Sequence, residues 1–115
     1  MELPKEAMLL RIFIGEDDKY EGHALYDVIV KQARQKQMAG ATVLRGPMGY
    51  GHSSHMHRAN FLDISEDLPV LIEIVDTQEK IDGFLPLIDG MMESGLVTLE
   101  KVQVLAYGPS SRKPK

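Results

Sequence analysis

Two short β-branched runs constrain this chain more than any other feature. Leu9-Leu10-Arg11-Ile12-Phe13-Ile14 ends at Gly15 and the acidic Glu16-Asp17-Asp18, and Val70-Leu71-Ile72-Glu73-Ile74-Val75 ends at Asp76. Each reads as a buried strand, and each is followed by an apolar stripe at helical spacing. In the first stripe, within 23–38, Leu25, Val28, Ile29 and Ala33 recur with Lys31, Gln32, Arg34 and Gln35 between them, and Gly40 is the expected C-terminal stop. The second contains Ile81, Phe84, Leu85, Ile88, Met91 and Met92, opens on a capping-box-like Asp76 with Glu79, and ends near Gly95. Pro86 inside it removes a donor and predicts a kink or a broken first half. Thr42-Val43-Leu44 and Leu96 to Tyr107 supply two more strands, and Ala59 to Ile64 alternates weakly. The order is β-α-β-β-α-β. Right-handed crossovers then predict an α+β, ferredoxin-like sandwich: a four-stranded antiparallel sheet with both helices on one face.

At 115 residues the chain makes one domain with a real core, expected over 1–108, followed by a basic tail at 109–115. Its 43% hydrophobic and 26% charged residues exclude a disordered chain. A net charge of -4 excludes the basic footprint of a non-specific nucleic-acid or anionic-membrane binder. The absence of cysteine excludes a disulfide framework, a thiolate metal site and a cysteine nucleophile. Met1 to Glu6 carries charge and a proline where a signal peptide needs an apolar stretch, and no run approaches the ~20 residues of a membrane span, so a cytoplasmic protein with no membrane insertion is expected.

Function has to come from sites, because this fold hosts many activities. Arg45 to Arg58 holds three glycines, three histidines, two serines and two arginines, and a flexible loop is expected over 46–58. Glycines let backbone N–H groups converge on an anion, and Arg45 and Arg58 supply charge, so the segment reads as a phosphate site as readily as a plain connection. It is neither a Walker loop nor a dinucleotide fingerprint. His52, His55 and His57 form His-x-x-His-x-His, an alternative site for zinc, copper or nickel that lacks a fourth protein ligand. The turn from Glu16 to Gly22 reads as a solvated acidic loop, although Tyr20 and Lys19 are able to meet a base or ribose. An enzyme is not expected. The loop after the first strand carries acids where an acylphosphatase needs an arginine-bearing cradle, Glu73 reads as a paired or solvent-facing strand residue, and Val70 to Val75 lacks the aromatics on which RNA-recognition domains stack bases.

Three blocks, Leu10 to Gly22, Gly40 to Gly51 and Asp67 to Asp76, closely resemble the PII-like family known as domain of unknown function 190, and the likeness extends to about Tyr107. The resemblance implies a homotrimer related to nitrogen-regulatory PII proteins, with an adenine nucleotide in the cleft between subunits. Gly40-Ala41-Thr42-Val43 and Gly49-Tyr50-Gly51 match the PII strand and the glycine-aromatic-glycine turn that leads into its signalling loop. The nucleotide contacts so implied, with the cations and turn residues around them, are Gly40, Thr42, Arg45, Gly46, Gly49, Tyr50, Gly51 and Arg58. His52-Ser53 replaces the Arg-Gln pair that follows the turn in PII, Leu68 and Val70 flank Pro69 where PII has a lysine, and the closing arginine pair is missing. Magnesium-dependent 2-oxoglutarate binding is therefore not expected, and AMP or ADP is favoured over ATP. The resemblance further points to a protein partner engaged through the 46–58 loop, with membrane transport, ion export included, as the regulated process.

Overall fold

The computed structural model describes residues 3–50, 56–58 and 67–108. Its core is a four-stranded antiparallel sheet of β1 (Glu6–Gly15), β4 (Thr42–Arg45), β7 (Pro69–Asp76) and β8 (Leu96–Gln103) in the order β4-β7-β1-β8. A two-residue pair, β2 (Lys19–Tyr20) with β3 (His23–Ala24), leads into α1 (Leu25–Gln35), and α2 (Gln78–Met91) joins β7 to β8. The chain has the ferredoxin-like α+β fold. Among the described residues no helix is long and apolar enough to cross a membrane.

The period-2 alternation of the two central strands decides which face is covered. Leu10, Ile12 and Ile14 on β1, with Val70, Ile72 and Ile74 on β7, are buried against Leu25, Ile29 and Ala33 of α1 and Ile81, Phe84, Ile88 and Met91 of α2. The register pairs Ile12 with Ile72 and Arg11 with Glu73, so Leu9, Arg11, Phe13, Leu71, Glu73 and Val75 share the opposite face. Neither α1 nor α2 packs there, and Phe13, Leu44 and Leu96 stand exposed on it among the described residues.

Three local expectations are corrected. α1 stops at a left-handed Gln37 (φ 59), not at Gly40: Gln37 N–H donates to the Arg34 carbonyl and Met38 N–H to the Ala33 carbonyl, both at 3.0 Å, in a Schellman motif with no glycine. The cap of α2 is Thr77, whose hydroxyl accepts from Lys80 N–H at 3.2 Å, while Asp76 turns inward. α2 also continues as one helix, Gln78–Met91, through Pro86, so its first half is not broken off. A mid-helix proline costs about 3 kcal/mol, and burying each of Ile81, Phe84, Ile88 and Met91 returns about 1.5–3 kcal/mol, so packing outweighs it. Within the expected 46–58 loop, β5 (Met48–Tyr50) pairs with β6 (Met56–Arg58), Gly49 opposite His57. The weak alternation over 59–64 and the tail at 109–115 lie outside the described residues.

Candidate functional site

A fully buried carboxylate organises the first half of the site. Asp76, the last residue of β7, accepts from Ala39 N–H at 2.8 Å and from Thr77 N–H at 2.7 Å, one bond to each oxygen. A charge taken out of water is tolerable only with such partners. The bonds tie the α1–β4 turn to the end of β7. Tyr107, arriving after β8, grips the same residue from its other side: its hydroxyl donates to the Ala39 carbonyl at 2.5 Å, and upstream Val104 N–H donates to the Lys5 carbonyl at 2.7 Å. Residues 104–107 thus cross the end of the sheet as a strap.

Between strap and sheet lies a cavity of about 620 Å³ on the face away from the helices. Gly40, Ala41 and Thr42 form its rim, Leu9, Val75 and Val102 its apolar floor, and Leu105 and Tyr107 its far wall. A Cβ added at Gly40 meets nothing within 4 Å. Glu73 is the one acidic side chain in the lining. Arg11 Nε donates to its carboxylate at 3.0 Å, and Arg11 Nη1 donates to Glu100 at 2.5 Å. The hydrogen bond to Glu73 does most to hold the Arg11 pKa above its ordinary value, with Glu100 adding and desolvation opposing. The cavity thus presents an apolar slot with an anchored acceptor, a shape and chemistry that suit a flat heterocycle bearing an amino group.

The second half sits at the other end of β4. A strand rises about 3.3 Å per residue, so Gly46 lies roughly 13 Å beyond Thr42. Gly46 N–H donates to the Pro69 carbonyl at 2.8 Å, and an added Cβ would lie 2.9 Å from Pro69 Cγ at Gly46 and 3.1 Å at Gly49. Close packing on Pro69 therefore requires a shift for any side chain at Gly46 and leaves little room for one at Gly49, whatever else these glycines do. Arg45 forms an ion pair with Glu16. Glu16 is itself fixed by the turn after β1, in which Glu16 N–H donates to the Leu68 carbonyl at 2.8 Å, Asp17 N–H to Asp67 at 2.7 Å and Gly15 N–H to Asp18 at 2.9 Å.

Of the residues singled out in the sequence, Gly40 and Thr42 meet in the cavity. Arg45, Gly46, Gly49 and Tyr50 gather instead around the glycine turn, with Tyr50 largely exposed. Gly51, His52 and His55 lie outside the described residues, and Arg58 and His57 enter only through the backbone of β6. Among the described residues no three His, Asp or Glu side chains come together as a metal site. Sequence reasoning missed Glu73, Val75 and Tyr107 as cavity residues. The signal for Glu73 was its place as the lone charge in an apolar strand.

Residues 7–104 match the family DUF190, described as "Uncharacterized ACR, COG1993". The chain belongs to this family. Its relatives include two UPF0166 proteins. That of Aquifex aeolicus is 40% identical over 84% of this chain and 91% of its own, and that of Methanocaldococcus jannaschii is 35% identical over 86% and 92%. Solved structures sharing the fold include CPII, a nitrogen regulatory PII-like protein from Thiomonas intermedia K12 bound to ADP, AMP and bicarbonate. Its TM-score is 0.58 at 21% identity, covering 86% of this chain and 88% of CPII. A putative PII-like signaling protein from Thermus thermophilus superposes with a TM-score of 0.63 at 15% identity, over 90% and 93% of the two chains. The DUF190 chain therefore has the PII-like variant of the ferredoxin-like fold.

Proposed function

We propose that this protein is a cytoplasmic, non-enzymatic regulator that binds an adenine nucleotide, AMP or ADP ahead of ATP, in clefts between the subunits of a homotrimer. The observation that carries the reading is the cavity in which Gly40 and Thr42 meet Glu73 and Tyr107. Its apolar floor suits a purine, and its anchored carboxylate suits the exocyclic amine of adenine. The ADP and AMP bound to CPII, a protein of the same fold, support the ligand class.

Separation of the two halves supports a shared site. The cavity and the Arg45–Gly46 turn lie at opposite ends of β4, and a closed ring brings one copy's turn to the next copy's cavity. Arg45 is the one cationic side chain among the described residues of the turn, a weak match for triphosphate charge, and so AMP and ADP rank above ATP. Nucleotide at the turn then reorders the 46–58 loop, which engages a partner protein, a membrane transporter, by population shift.

Thermal unfolding of EDTA-treated, tag-free protein against AMP, ADP, ATP, cyclic AMP, GTP, zinc and copper tests the proposal. A ligand at a hundredfold excess over its dissociation constant adds about 2.7 kcal/mol to the folded state. A dose-dependent rise with AMP or ADP is expected; a rise with metal alone overturns it in favour of the histidine segment.

A further inference from the structure

We infer that Glu16 is a built-in competitor for the nucleotide's phosphate, occupying Arg45 in the ligand-free chain and setting how strongly phosphate is preferred over none. This deepens the proposed function and rests on it. Arg45 borders the glycine turn, and in the structure its guanidinium is already paired with the Glu16 carboxylate. The pair is held from the carboxylate side: Asp67 and Asp18 accept backbone N–H bonds from Asp17 and Gly15, and Glu16 N–H is bonded to the Leu68 carbonyl, so the acid is delivered by a braced turn. Glu16 is the less exposed partner, at 25% against 56% for Arg45.

Phosphate oxygens and a carboxylate compete for the same forked donors. A phosphate that reaches the turn must therefore displace Glu16 from Arg45 or share the arginine with it. The strand end itself stays held, Arg45 opposite Val70 and Gly46 N–H on the Pro69 carbonyl, so displacement changes the charge beside the turn from which the β5–β6 hairpin departs and not the turn's backbone. Phosphate recognition and loss of the Glu16–Arg45 pair are then one event, whereas the nucleoside part, seated in the distant cavity, is indifferent to it.

The test is calorimetric titration of the full chain with ADP and with adenosine, for the parent, Glu16→Gln, Arg45→Gln and the double variant. An exposed ion pair is a small free energy, so Glu16→Gln should tighten ADP about two- to fivefold and leave adenosine unchanged. Arg45→Gln should weaken ADP, and the gain from Glu16→Gln should vanish in the Arg45→Gln background. Raising salt should shrink the ADP gain. Glu16→Gln that leaves the ADP-to-adenosine affinity ratio unchanged, or that raises it equally without Arg45, overturns the inference while nucleotide binding stands. Failure of the parent to bind either ligand overturns the functional reading beneath it. Unfolding midpoints of all four proteins check that the comparison is between folded chains.

Discussion

Single residues carry more of this molecule than their exposure suggests. Asp76 is buried and satisfies two backbone N–H groups that belong to different elements, Ala39 and Thr77. Asp76→Ala strands both donors and should cost about 2–4 kcal/mol in urea unfolding; a loss under about 0.5 kcal/mol contradicts the assigned bonds. Gln37 carries the opposite kind of penalty, a side chain in the left-handed region at the end of α1. Gln37→Gly should stabilise the fold by about 1 kcal/mol in the same assay, and a destabilised variant argues against the Schellman geometry. Glu73 makes a residue-scale prediction about ligand choice. A lost hydrogen bond to a charged group is worth about 1.5–3 kcal/mol, so IMP, which lacks the exocyclic amine, should bind about 10–100-fold more weakly than AMP. Equal affinities would remove Glu73 from the reading.

At the scale of elements, legibility in the sequence followed from how much of each signal was local. The strands at Leu9–Ile14 and Val70–Val75 and the apolar stripes of both helices were readable because burial imposes period 2 on a strand and 3.6 on a helix. Ends were less readable. Gly40 looks like a helix stop, but the stop is a hydrogen-bonding pattern that Gln37 satisfies, and Gly40 is left to border a cavity. Pro86 looks like a break, but four buried side chains outweigh it, a sum no local window contains. The β5–β6 pairing was hidden because its strands carry Gly49 and lack an apolar alternation. The cavity was half legible: Gly40 and Thr42 stood in a motif, whereas Glu73 and Tyr107 reach it only through strand register and a strap from the chain's far end. Capping gives the element-scale prediction. Thr77→Ala removes the acceptor for Lys80 N–H and should cost about 1 kcal/mol of stability, with no change in nucleotide affinity. A stability loss under about 0.3 kcal/mol, or an affinity loss, contradicts that division of labour.

The whole molecule is a two-layer sandwich with one open face: helices cover one side of the sheet, and Phe13, Leu44 and Leu96 stay exposed on the other. Apolar surface of that kind favours a second copy as its cover, consistent with the proposed trimer. Leu96→Glu should therefore yield a species of one third the parent's mass in sedimentation, with weakened nucleotide binding; an unchanged mass places the interface elsewhere. The central claim, that the cavity beside Gly40 holds the nucleoside, has a direct test because there is room for a Cβ there. Nothing lies within 4 Å of a Cβ at Gly40, whereas a Cβ at Gly46 would collide with Pro69 and one at Gly49 would crowd it. Calorimetric titration of ADP into the parent and into Gly40→Val, both with the same unfolding midpoint, should show one ADP per chain for the parent and no saturable binding for the variant. A Gly40→Val protein that binds ADP as tightly as the parent would contradict the account.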